Sequence, residues 1–490
     1  MAQMIRHPTL GATTLLAAAL LLALPALART PAAATSPASE RAPATVPRDV
    51  ALPGLSAAAL EAEHWIARWP RAERIALDAA TVGAHNARLF DGDASVTRLD
   101  ALPEAMTPDA IRERVLRRSS LPTAPRYGVD GRPMDEADRQ RWVASLGLDA
   151  LEPGDATPRP LGWALVTQRA SLRTFPTTER VFSAPGDTDL DRFQESAVFP
   201  GTPVAVLHAS ADGHWRFVVG ATYAAWIPEA ALAHTDRDTA LGFAARATRV
   251  VLEPIARLAH TPETPAVSGL ALDMGVALPE RRGWPMTATV NGQGALASHV
   301  VEVPTRGADG ALHVTTALLP RGEASHDGPL PASRANLLRQ AFRFLGERYG
   351  WGHDFGARDC SGFVSEVYRS LGLLLPRNTG DQARSPALER QPLAGLDRAA
   401  RLAAVAALAP GDLLYLPGHV VMVIGHDEHG PWVIHDVHRL RVRDAEGALV
   451  EWRANGVVVT PLLPLHVDST TDYLDAATTL VRVLPADAPR

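Results

Sequence analysis

The sequence predicts an α+β multidomain protein, and three observations carry that expectation. A helical pattern begins at the lone cysteine, Cys360, and is followed by three strand-like apolar runs. Between about residues 161 and 330, short strand-like segments alternate with turn residues, whereas residues 51–160 read as mostly helical. A chain of 490 residues, 46% hydrophobic and 21% charged, is globular in composition and long enough for three or four domains.

At the amino end, Arg6 precedes the apolar stretch Thr13 to Leu24, and Ala26-Leu27-Ala28 follows, which is the order of a secretory signal peptide over 1–28. The apolar stretch is short for a bilayer span, and no cysteine stands near the cleavage point to take a lipid. A periplasmic or secreted protein without an integral membrane segment after cleavage is therefore expected. Residues 29–50, rich in Ala, Pro, Thr and Ser, read as a disordered linker. In 51–160 the spacing predicts helices over Ser56 to Ile66, Thr107 to Leu116 and Glu136 to Leu146. Gln168 to Pro176, Thr202 to Leu207, His214 to Val219 and Tyr223 to Ile227 read as strands of a small β domain over 161–240. His299 to Val303 and Leu312 to Leu318, around the turn Asp309-Gly310, suggest a second over 241–330. Residues 331–490 carry the chemistry.

Within that last region, Phe363, Val364, Val367, Tyr368 and Leu371 recur at helical spacing after Asp359, and Gly372 and Pro376 supply the stop. Cys360 then falls in the first turn with Asp359 as N-cap, where exposed N–H groups and the helix dipole favour a thiolate. Leu413 to Leu416, Gly418 to Gly425 and Pro431 to Asp436 read as strands, the last two joined by a turn near Asp427 to Gly430. A hairpin centred near Asp427 brings His419 and His435 nearly opposite each other, so that one imidazole can orient the other. Nucleophile, base and orienting group then occur in the order Cys360, His419, His435, the logic of a cysteine hydrolase. One cysteine cannot form an internal disulfide, so the thiol stays available in an oxidising compartment. His426, His429 and His438 read as ordinary turn or strand-end residues, and their spacing with His419, His435 and Asp436 fits none of the usual zinc patterns. No metal or cofactor is expected.

Tyr349-Gly350-Trp351-Gly352, Asp359-Cys360-Ser361-Gly362-Phe363, Leu375-Pro376-Arg377-Asn378 with Gln382, Gly411-Asp412-Leu413, Gly418-His419-Val420 and Ile434-His435 together resemble the NlpC-type bacterial cell-wall cysteine peptidases over about Ala332 to Leu465. His353 departs from the pattern, since the family more often has a second glycine there. The resemblance implies a circularly permuted papain-like catalytic domain, here preceded by two small SH3-like β-barrel domains and a helical N-terminal domain. It makes Cys360 the nucleophile, His419 the general base and acid and His435 the residue that holds its ring. The Cys360 N–H is a natural oxyanion donor, and the Tyr349 hydroxyl, with Trp351 nearby in the motif, is a candidate for the same cleft.

In the multidomain branch this arrangement resembles, the substrate is the γ-D-glutamyl-diaminopimelate or -lysine bond of peptidoglycan stem peptides or muropeptides, and an SH3-like domain walls the cleft so that a free N-terminal L-alanine is required. Asp359 and Ser361, with Glu195 and Tyr223 from the first β domain, are the candidate partners of its ammonium. A DD-endopeptidase opening cross-links with the same triad, or a catalytically idle wall-binding protein, are the other readings. After loss of residues 1–28 the chain has 47 basic and 54 acidic residues, a net charge of −7 that gives no global attraction for nucleic acid or anionic membranes.

Overall fold

The computed structural model describes residues 52, 54–285, 287–444 and 446–485. The signal peptide and linker expected over 1–28 and 29–50 lie outside them. Among the described residues no helix is long and apolar enough to cross a membrane.

The region 162–235, the expected first barrel, forms one seven-stranded antiparallel sheet. Its members include Gly162–Val166, Ala170–Arg173, Gln194–Val198, Pro203–Ala209, Trp215–Val219, Ala224–Pro228 and Leu232–Thr235. Each of the strands expected here is present, and alternate residues such as Phe217 and Trp226 fill a buried aromatic core. Residues 249–327 are built differently, from several small sheets, of which the longest is the hairpin Ser298–Arg306 with Leu312–Pro320.

The helical stretch has no core of its own. Ala59, Trp65, Ile66 and Ala72 belong to the core of the last region, where the Trp65 ring lies 5.4 Å from that of Trp432. Leu99, Ile111, Val115, Trp142 and Leu151 instead join the barrel core. Helices run over Pro108–Arg118 and Glu136–Ser145, close to the expected bounds, whereas the helix expected over Ser56 to Ile66 is broken by an extended Glu61 into a short 3-10 turn, Ala58–Leu60, and the helix Ala62–Arg68; a further one, Ala79–Gly92, is capped by Asp78. Asn86 of that helix donates to Gly372 O and accepts from Leu374 N–H, fixing it to the far end of the cysteine helix.

The last region centres on a six-stranded antiparallel sheet in the spatial order Glu389–Pro392, Thr479–Arg482, Leu413–Leu416, His419–Asp427, Gly430–Val437, Gly456–Pro461. Both faces are covered. Val420, Met422 and Ile434 pack under the helices Arg334–Phe342 and Cys360–Ser370, while Val421, Val423 and Val433 face a second apolar layer with Val405, Leu408 and Tyr473. The same alternation puts His419 and His435 on the Tyr473 side.

Candidate active site

Asp359 caps the helix Cys360–Ser370, its carboxylate accepting the Gly362 N–H at 2.8 Å, and so fixes Cys360 at the first helical position. Phe363, Val364, Val367 and Tyr368 anchor the helix with no exposed surface. The thiol reaches the start of the strand His419–Asp427, with Sγ 4.0 Å from Gly418 O. Burial, with the Asp359 charge, pushes the Cys360 thiol well above its ordinary value, and the Val420 N–H only partly offsets this. The helix start therefore does not by itself make a thiolate, contrary to the expectation from sequence: the N-cap that builds the helix start also brings a carboxylate beside the sulfur.

Desolvation holds the His419 imidazole down at about 4, so it is neutral at physiological pH. Its Nε2 lies 3.0 Å from His435 Nδ1, and His435 Nε2 lies 3.2 Å from Thr460 Oγ1. The two histidines are not directly opposite. The tight turn pairs Asp427 with Gly430 and a one-residue bulge follows Val423, so the register Met422 to Ile434 leaves His419 and His435 diagonal on one face. Tyr473, with ring centroids 6.1 and 6.4 Å away, closes the dry side of the pair. Neither Thr460 nor Tyr473 carried a motif that could have marked it.

With Nε2 of His419 turned to His435, Nδ1 is the nitrogen left for the thiol. A neutral thiol beside a neutral imidazole can react if the proton moves to nitrogen as sulfur attacks. Burial keeps the Tyr349 hydroxyl protonated, hence a donor.

Cys360, Tyr349, Trp351, Asp359, Ser361 and Glu195 line one cleft of about 160 Å³, and two of its walls come from different domains. Gln194 Nε2 donates to Gly352 O at 2.8 Å, and a Cβ on Gly352, whose φ is +59°, would stand 2.6 Å from Gln194 O. The glycine is thus required where barrel and peptidase backbones meet. Asp189 of the barrel region completes the seam by accepting from Arg348 at 2.5 Å, from Arg453 and from His438 at 3.2 Å. His438 is accordingly a half-buried contact between domains and not a solvent-exposed strand end.

Arg377 had been visible only as part of a motif, yet it organises this cleft. Its guanidinium grips both oxygens of Asp359 at 2.8 and 3.1 Å and donates to Ser361 Oγ at 2.9 Å and Ser196 Oγ at 2.7 Å. Although burial alone would raise it, the Arg377 charge holds the Asp359 carboxyl at about 2. Asp359 and Ser361 thus both line the cleft and are both hydrogen-bonded to Arg377. Glu195 lines the same cleft, with Thr174 Oγ1 donating to its Oε1 at 2.5 Å and the Tyr223 hydroxyl to its Oε2. Tyr223 acts through Glu195, with the Arg118 guanidinium 4.6 Å over its ring. His353, at φ 65°, fills the place of the usual glycine, its Nδ1 3.0 Å from Arg377 and its Nε2 3.2 Å from Glu366. Burial and the Arg377 charge keep it neutral. Among the described residues no group of three or more His, Cys, Asp or Glu side chains could hold a metal ion.

The profile of the NlpC/P60 family matches residues 346–458, and that of an SH3 domain of the SH3b1 type matches residues 180–228. Residues 346–458 are thus an NlpC/P60 peptidase domain, with an SH3-like domain ahead of it in the chain. Over 63 residues it is 38% identical to a γ-D-glutamyl-L-lysine dipeptidyl-peptidase of Bacillus cereus, a match spanning 13% of this chain and 19% of that protein. Its fold resembles that of an NlpC/P60 endopeptidase from Photobacterium damselae subsp. piscicida with a TM-score of 0.68 at 16% identity, over 86% of this chain and 96% of the other. An NlpC/P60 family protein from Bacillus cereus aligns with a TM-score of 0.44 at 21% identity, over 66% of this chain and all of the other.

Proposed function

We propose that the protein is an exported cysteine endopeptidase that hydrolyses the γ-D-glutamyl bond to diaminopimelate or lysine in peptidoglycan stem peptides bearing a free N-terminal L-alanine. The single observation that supports this most is Glu195. A carboxylate from the SH3-like domain, held by Tyr223 and Thr174, faces the same small cleft as Cys360. Such a group can pair with an ammonium two residues from the scissile bond, where a muramyl-capped alanine would bring none. The 38% identical segment shared with a γ-D-glutamyl-L-lysine dipeptidyl-peptidase points the same way.

In this reading, Nδ1 of His419 takes the thiol proton as Cys360 Sγ attacks the γ-carbonyl carbon. The oxyanion is met by the Cys360 N–H and the Tyr349 hydroxyl. The imidazolium returns its proton to the departing amine, leaving a glutamyl thioester on Cys360, which water, activated by His419, then hydrolyses. His435 keeps the ring oriented and stabilises its charge. Export rests on residues 1–28.

The test is mass spectrometry of products from defined stem peptides. Release of L-Ala-γ-D-Glu supports the reading, whereas cleavage between D-alanine and diaminopimelate of a cross-link identifies a DD-endopeptidase. Alkylation of Cys360 should abolish either product, and chelators should leave the rate unchanged.

A further inference from the structure

Among the cations around the cleft, Arg192 stands apart. It belongs to the SH3-like domain, three residues before Glu195, and lines the cleft beside Cys360, Tyr349 and Trp351. Its guanidinium lies over the Trp351 ring at 4.7 Å, and its Nε donates to Ser183 Oγ at 2.9 Å. Its two terminal nitrogens have no hydrogen-bond or ion-pair partner among the described residues. Its neighbours are otherwise committed: Arg377 to Asp359, Arg348 to Asp189 and Arg180 to Asp354. Arg192 is thus held flat by an aromatic face and one hydrogen bond, with its two-pronged edge unused. Partial burial and the nearby Arg126 charge lower its affinity for its own proton, with Asp187 offsetting them only in part, so a counter-ion would relieve a local excess of positive charge.

We propose that Arg192 is a specificity-determining residue that binds a substrate carboxylate. This rests on the proposed function, whose peptides offer two such groups near the scissile bond: the α-carboxylate left free by the γ-linkage of D-glutamate, and the second carboxylate of diaminopimelate, which lysine lacks. Bidentate pairing with a planar carboxylate suits the stacked guanidinium, and Glu195 and Arg192 together would read an ammonium and a carboxylate of one ligand from the same domain.

The experiment uses the full chain and four tripeptides, L-Ala-γ-D-Glu or L-Ala-D-isoglutamine joined to diaminopimelate or to lysine, with kcat/KM read from product release for wild type, Arg192→Gln and Arg192→Lys. Because charged hydrogen bonds are the strong ones, Arg192→Gln should shrink the preference for the carboxylate peptide by roughly ten- to a hundredfold, mainly through KM. Arg192→Lys should retain part of it. A preference lost against isoglutamine assigns the glutamyl carboxylate, and one lost against lysine assigns diaminopimelate. If Arg192→Gln slows all four peptides equally, or none, the inference is overturned while the proposed function stands. A wild type that cuts none of the four at the glutamyl bond overturns the proposed function, and the carboxylate site with it.

Discussion

His419 Nε2 lies 3.0 Å from His435 Nδ1, and this contact decides which nitrogen of His419 can serve as a base. For Nδ1 of His419 to carry a free lone pair, its proton must sit on Nε2 and be donated to His435, whose own proton then sits on Nε2 and is donated to Thr460 Oγ1. The threonine hydroxyl is therefore the far anchor of the tautomer. His435→Ala should lower kcat by roughly a hundredfold with little change in KM, while Cys360→Ala and His419→Ala remove activity altogether. Thr460→Val, which keeps the shape and loses the acceptor, should cost about tenfold, again in kcat. Steady-state kinetics on a single stem peptide checks the ranking.

The resting pair is neutral, and this has a pH signature. His419 is functional only unprotonated, and burial holds it at about 4, so kcat/KM should stay level down through pH 6 and fall only as the pH approaches 4. The buried thiol lies well above its ordinary value, so alkylation of the free protein should keep accelerating into the alkaline range without a plateau at neutral pH. An alkylation rate that is already level at low pH would instead mean a preformed thiolate–imidazolium pair.

Replacing Asp359 by Asn should affect folding before it affects specificity. The substitution leaves Arg377 buried opposite a neutral amide, and breaking a buried pair of this kind costs about 3 kcal/mol or more. Because the Asp359 carboxyl is depressed to about 2, its contribution is fully present above the ordinary value near 3.8 and is lost as the pH falls through 2. Urea unfolding of wild type and Asp359→Asn should differ at pH 6 and converge toward pH 2.

Gly352→Ala tests the seam between the SH3-like domain and the catalytic domain. The new methyl would meet Gln194 O at 2.6 Å at a backbone φ of +59°. The left-handed conformation alone costs about 1–2 kcal/mol, and the clash adds to it. A lowered melting temperature and a weaker preference for free over capped amino ends should appear together.

Much of this was legible from one dimension. The helix at Cys360 and the strands carrying His419 and His435 follow from apolar period and turn residues, and their bounds differ from the reading by only a residue or two. The hairpin register was not legible, because a bulge after Val423 and a turn placed later than Asp427 have no local signature. Arg377 illustrates the deeper difficulty: its motif position was plain, but its hold on Asp359 and Ser361 arises from burial and long-range packing. The split of residues 51–160 between two cores was hidden for the same reason, since amphipathic helices show which face is apolar and not what that face meets.

The central claim is that a cleft walled by the SH3-like domain and carrying Glu195 reads the free amino end of the peptide. The most direct measurement compares hydrolysis rates of L-Ala-γ-D-Glu-diaminopimelate with the same peptide bearing N-acetylmuramic acid on the alanine, for wild type and Glu195→Gln. The account predicts that the free peptide is cut at least about a hundredfold faster by wild type, since the capped one brings no ammonium to the Glu195 carboxylate, and that Glu195→Gln narrows the ratio by slowing the free peptide. Equal rates for the two peptides, or faster release from intact sacculi than from the free peptide, would contradict it.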